Sequence, residues 1–149
     1  MTDKIRVTRR FTFDMAHALY GHDGPCKNIH GHTYHLEVTI LGTALRQSGE
    51  PRNGMVMDFS ELKMIVEREI IKHFDHALVL NEDSPHKELK TLKEQFEKVI
   101  FLPVQPTCEN LLVLFKNRLL HFFDAHHQLV SVKLRETPKS FAEWRKEDN

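Results

Sequence analysis

Histidines 17, 30 and 32 are the residues in this chain best equipped for chemistry. Three imidazoles within a short stretch can close three corners of a tetrahedral zinc site. Three protein ligands with one open position describe a catalytic rather than a structural zinc. A bare His-x-His step is more often a solvated or packed pair, but His17 and the nearby Cys26 tip the reading toward a metal. Cys26 has three readings: a fourth ligand that closes the site, an inert small hydrophobe, or a thiol activated by a nearby cation. Asp75-His76 is a pair in which a carboxylate can orient an imidazole and raise its basicity. Such neighbours also commonly make a plain surface hydrogen bond.

These groups need elements that aim them. Arg6 to His17 reads as a strand with Val7, Phe11, Phe13, Met15 and His17 on one face. His32 to Leu41 is a second strand with Tyr34, Leu36, Val38 and Ile40 inward. His30 and His32 share that parity, and the strand rise separates their Cα atoms by about 6.6 Å. Gly31 between them leaves the opposite face bare. Gly21 to Lys27 reads as a loop, Ala44 to Asn53 as a polar connection, and Met55 to Phe59 as extended. Asp58 and Glu61 suit a capping box for a helix buried through Leu62, Ile65, Val66 and Ile70. Phe74 to Leu80 reads as a short extended or loop segment. Lys87 to Val99 reads as a charged helix with a thin stripe of Leu89, Leu92 and Phe96. Thr107 is a good N-cap for a helix to about Phe123 that buries Leu111, Leu112, Leu114, Phe115, Leu119 and Phe122. Gln128 to Arg135 and Phe141 to Arg145 are the last strands. Glu136 continues the inward parity of Val130, Val132 and Leu134. A carboxylate there is either a plain exposed strand-end residue or one that can accept two N–H donors from a guanidine-like ring edge such as a pterin's. Glu109, at a helix start, has a favourable helix-dipole interaction as its default role.

The order of two strands, helices and two strands favours an α+β fold, with helices on one face of an antiparallel sheet. At 149 residues the chain fits one domain, 1–149. It carries 21 basic and 21 acidic residues, a balance that argues against a nucleic-acid footprint. Two cysteines and the lack of a signal-like or membrane-spanning apolar run predict a reducing, cytoplasmic setting.

Together these residues resemble the 6-pyruvoyltetrahydropterin synthase and 6-carboxytetrahydropterin synthase family. The resemblance rests on Phe13-x3-His17, Cys26-x3-His30-Gly31-His32, Met57-Asp58-Phe59, Asp75-His76, Pro106-Thr107-x-Glu109-Asn110 and Glu136-Thr137. It implies the tunnelling fold, a four-stranded antiparallel sheet in ββααββ order whose subunits form trimers paired into hexamers. It implies zinc on His17, His30 and His32, with Cys26 as general base and Asp75 and His76 completing a proton relay. Glu136 is implied as the pterin anchor, with Glu109 and Thr107 beside it, in active sites between subunits. The implied substrate is 7,8-dihydroneopterin triphosphate. Three residues between the cysteine and His30 resemble the carboxy-forming, carbon–carbon cleaving branch of queuosine biosynthesis more than the pyruvoyl-forming branch. A non-catalytic zinc- and pterin-binding relative is the competing expectation. Lys27, Arg9 and Lys139 are candidates to meet a triphosphate, and nothing in the sequence selects among them.

Overall fold

The computed structural model describes residues 3–149. Two long strands, β1 (Lys4–His17) and β2 (His30–Thr43), pair antiparallel from Lys4↔Thr43 to His17↔His30. Alternation decides their faces. Phe11, Phe13 and Met15 of β1 and Tyr34, Leu36, Val38 and Ile40 of β2 are buried, while Thr8, Arg10, Thr12 and Asp14 are exposed. Phe13 stacks on Tyr34 with ring centroids 5.3 Å apart, which carries the core to the histidine end of the hairpin.

Helix α1 (Phe59–Val66) starts at Asp58, whose carboxylate accepts from the Ser60 amide at 2.8 Å. The predicted box partner Glu61 pairs instead with Arg52 at 2.9 Å, so the cap is one-sided. The helix runs on through a π-helical turn (Glu67–Ile71) into α2 (Lys72–Phe74). This keeps Leu62, Ile65, Val66, Ile70 and Phe74 buried against the sheet. Helix α3 (Cys108–Leu120) is capped by Thr107, whose hydroxyl accepts from the Asn110 amide at 3.2 Å. It buries Leu111, Leu112, Phe115 and Leu119. Leu114 is only partly buried, and Phe122, expected inside, lies beyond the helix end with the Arg68 guanidinium 5.1 Å from its ring centroid.

The sheet has six strands, not the expected four, and it is mixed. Its order is β4-β3-β1-β2-β5-β6, with β3 (Ala77–Asn81), β4 (Val99–Leu102), β5 (His127–Thr137) and β6 (Ser140–Arg145). Strand β3 runs parallel to β1 and β4 parallel to β3. The chain order is therefore ββααββαββ rather than ββααββ, counting the short α2 turn. Both added strands are brief apolar runs without alternation, a pattern that sequence does not separate from buried loop or helix. The helix expected over Lys87 to Val99 is replaced by 3-10 turns (Pro85–Glu94) followed by β4. Its stripe finds no cover, since Leu89 and Phe96 are exposed, and a helix with no buried face has little to stabilise it. The fold is α+β, with helices and core on one sheet face and a polar opposite face.

Candidate active site

The hairpin register places His17 directly across from His30, and Met15 across from His32. All three imidazoles project to the helix-covered face, and their ligand nitrogens lie within 4.8 Å of one another. His17 is 1% exposed, and its Nδ1–H donates to the Pro106 carbonyl at 2.7 Å. His30 Nδ1–H donates to the Asn28 carbonyl, also at 2.7 Å. A carbonyl only accepts, so these two contacts put the ring proton on Nδ1 and leave each neutral Nε2 as a lone pair. The two Nε2 atoms face each other at 3.1 Å. Lone pairs that close repel unless a cation lies between them. Two nitrogens bound tetrahedrally to one zinc at about 2.05 Å sit about 3.3 Å apart. Burial holds the His17 and His32 pKa values below the ordinary imidazole value, outweighing the raising effects of the Pro106 bond on His17 and of Glu136 on both, and so favours the neutral, ligating form. The donor set therefore fits a nitrogen-preferring transition metal such as zinc, with carbonyl tethers typical of a tuned outer shell.

Glu136 joins this cluster from β5. Its Oε1 lies 3.6 Å from His17 Nε2 and 3.8 Å from His32 Nε2, and it accepts from the Tyr34 hydroxyl at 3.2 Å. Burial, with Glu136 beside it, drives the Tyr34 phenol well above its ordinary pKa, so it stays a donor. Only a carboxylate edge near the imidazoles remains for another donor pair.

The approach to α3 holds the other side. Pro106 supplies the His17 tether, and Thr107 is engaged as the helix cap. Glu109 is exposed on the first turn. Between Thr107 and Glu109, Cys108 donates to the Leu134 carbonyl at 3.3 Å. Burial, with the charges of Glu136 and Glu109, pushes its thiol up to about 11. The Leu134 bond sets the helix start beside the strand that carries Glu136. Gln105 ties the segment together: its amide donates to the Tyr20 carbonyl at 2.7 Å and its carbonyl oxygen accepts from Asn81 at 3.3 Å.

Cys26 sits half-buried in a 3-10 turn (Pro25–Lys27), with its carbonyl accepting from the Leu19 amide at 2.9 Å. Its sulfur is not a member of the three-histidine cluster, and both Cys26 and Cys108 are free thiols. Asp75 and His76 do pair, with Nδ1–H donating to Oδ2 at 3.0 Å. They do so beside Asp14, one of the outward residues of β1, whereas the three imidazoles project inward. Within one chain the Asp75–His76 pair and the imidazole cluster thus project from opposite faces of the sheet. A cleft of about 860 Å³ opens beside Asp75 and His76, lined in part by Asp14, Thr33, His76, Phe96 and Lys98, and it also reaches His32. That volume is within the range of small-molecule sites. Burial raises the Asp75 carboxyl pKa, but bonds from the Asp14 amide and His76 outweigh it and hold the group below its ordinary value.

Sequence reasoning missed Tyr34, Pro106, Asn28 and Gln105 as parts of the site. The parity of Tyr34 predicts a core residue, and the β2–β5 register (His35↔Arg135, Leu36↔Leu134) also brings it opposite Glu136. The carbonyl tethers have no signature in residue type.

Residues 6–147 match the family model described as 6-pyruvoyl tetrahydropterin synthase. A Haemophilus influenzae protein named 6-carboxy-5,6,7,8-tetrahydropterin synthase is 40% identical over 142 residues, covering 94% of this chain and 98% of the relative. The Drosophila melanogaster 6-pyruvoyl tetrahydrobiopterin synthase is 31% identical, covering 93% of this chain and 78% of the relative. Among solved structures, the Plasmodium falciparum 6-pyruvoyl tetrahydropterin synthase superposes with a TM-score of 0.71 at 21% identity, over 96% of this chain and 98% of that one, which speaks to the fold. The tethered imidazoles, the carboxylate beside them and these matches agree, and the chain belongs to the 6-pyruvoyl tetrahydropterin synthase family.

Proposed function

We propose that this chain, as one domain over 1–149, is a zinc-dependent carbon–carbon lyase. It would convert 7,8-dihydroneopterin triphosphate and one water to 6-carboxy-5,6,7,8-tetrahydropterin, acetaldehyde and triphosphate in queuosine and 7-deazapurine biosynthesis. The observation that carries the reading is the facing pair of carbonyl-tethered Nε2 atoms at 3.1 Å, with Glu136 beside them. The branch rests on the Haemophilus influenzae relative, which is nearer in sequence than the Drosophila melanogaster one and matches at nearly full length.

His17, His30 and His32 hold the metal, whose Lewis acidity would make the substrate's side-chain hydroxyls more acidic. Glu136 accepts from the pterin's ring-edge N–H groups, with Glu109 and Thr107 completing that end of the pocket. Cys26 removes a proton from the substrate side chain, and His76, oriented by Asp75, exchanges protons at the adjacent carbon. Because the relay and the imidazoles lie on opposite sheet faces, the reading includes a homo-oligomer, a hexamer of two trimers, with sites completed between subunits. It also places the protein in the cytoplasm. Among the described residues no helix is long and apolar enough to cross a membrane.

A second reading, triphosphate elimination to 6-pyruvoyltetrahydropterin, is favoured by the Drosophila melanogaster relative. Incubating zinc-replete protein with dihydroneopterin triphosphate and identifying products by mass spectrometry tests both. Acetaldehyde with carboxytetrahydropterin is expected; a pyruvoyl product moves the assignment to the second branch. No turnover leaves the non-catalytic zinc- and pterin-binding relative.

A further inference from the structure

The Asp75–His76 corner is built around a residue that the proposed mechanism does not use. Asp14 lies at the end of β1 where the ladder to β3 begins, one residue before the Met15↔Ala77 pair. Its amide donates to Asp75 Oδ1 at 3.0 Å, and its carbonyl accepts from the His76 amide at 2.7 Å. The strand ladder is thus extended by one step, with a side-chain carboxylate standing in for the backbone acceptor. His76 has φ +62°, the sole left-handed residue other than glycine among those described. A β-carbon is disfavoured there, and such a conformation persists only where its surroundings over-determine it. The Asp14 carboxylate is itself fixed, accepting from the Thr33 hydroxyl at 2.6 Å. Its oxygen, an Asp75 oxygen and a His76 ring nitrogen all lie within 4.8 Å of one another. The imidazole is 75% exposed, so packing does little to hold it. Lys98, donating to the Asp75 carbonyl at 2.8 Å, braces the corner from the other side.

We infer that Asp14, anchored by Thr33, is a positioning residue that orients the Asp75–His76 pair and fixes the imidazole as the Nδ1–H tautomer. Its backbone clamps both members, and one of its carboxylate oxygens lies within 4.8 Å of a ring nitrogen. The inference rests on the relay role proposed above, and two separate readouts keep the failures apart. Long-range proton–nitrogen spectra of the intact protein report the His76 tautomer without any substrate. Wild type is expected to show Nδ1–H alone. Asp14→Ala, and more mildly Thr33→Val, should mix the tautomers, while Asp14→Asn, which keeps the acceptor, should restore Nδ1–H. An unmixed Nδ1–H spectrum in Asp14→Ala would overturn the inference.

Turnover supplies the second readout. Asp14→Ala is expected to lower kcat about tenfold, with KM and metal content unchanged, as misoriented catalytic groups do. In a His76→Ala background the same substitution should cost nothing further, because the two residues act as one unit. An equal loss in both backgrounds would mean that Asp14 serves the strand and not the imidazole. If tautomers mix in Asp14→Ala yet His76→Ala keeps full turnover, the positioning stands and the relay role falls.

Discussion

The two faces of the sheet solve the problem of holding an imidazole in opposite ways. On the covered face, His17 is buried, its far nitrogen bonded to the Pro106 carbonyl. Its partner His30 is tied to the Asn28 carbonyl. Core packing and fixed backbone acceptors define these rings, and Glu136 and Tyr34 complete the wall. On the open face, His76 is solvated and is held by a strained backbone and the Asp75 carboxylate, with the Asp14 carboxylate nearby. Rings that must converge on one ion are preorganised by burial. On the proposed reading, a ring that picks up and releases protons is left in water and steered by charge.

The largest effect should come from breaking the covered face. His17→Ala is expected to abolish both turnover and bound zinc, measured as metal per chain. It also leaves the buried Pro106 carbonyl without its donor, a cost of about 1–3 kcal/mol visible in chemical denaturation. His76→Ala should lower kcat by about 10²–10⁴-fold while metal content and stability stay at wild-type values. Mixing separately inactive His17→Ala and His76→Ala proteins after dissociation and reassembly should restore part of the turnover, because each supplies the face that the other lacks. If mixing restores none, each site is complete within one chain.

Glu136→Gln keeps an acceptor for Tyr34 but removes the charge that the proposed reading turns toward the substrate. It should raise KM about tenfold, more than it lowers kcat, as expected for one charge-assisted hydrogen bond. The smallest effect concerns Cys108. An unfolded chain loses a thiol proton near pH 8.5, whereas the folded one keeps it to about 11. The folded state binds more protons in that window, so stability is intact below about pH 8.5 and falls as the pH rises toward 11. Denaturation midpoints across that range should show the decline in wild type and lack this component in Cys108→Ala.

The covered face was far more legible than the open one. Parity alone put His17, His30 and His32 on one side of a hairpin, and the register of β1 with β2 does so too. Asp58 and Thr107 were readable as caps because capping depends on a local side chain. The placement of Asp75–His76 was not readable, since it depends on β3 joining β1 in parallel, a pairing across about sixty residues with no alternating pattern. Strand β4 was hidden for the same reason, and the apolar stripe before it suggested a helix that has nothing to cover it. Tyr34 looked like core because its ring is core; only its hydroxyl belongs to the site.

The carbonyl tethers also bear on how the chain folds. His30 is tied to Asn28, two residues away, whereas His17 is tied to Pro106, 89 residues away. A nascent β1–β2 hairpin can therefore bring the three imidazoles near one another, but it lacks the contact that sets the His17 proton. That contact forms only when the segment leading into α3 docks, a closure whose entropy cost grows slowly with loop length. Metal affinity should thus rise late in refolding, in step with docking of Gln105–Pro106. A captured ion would then stabilise the finished state by mass action, which on the proposed reading makes the rate of zinc uptake a clock for long-range assembly.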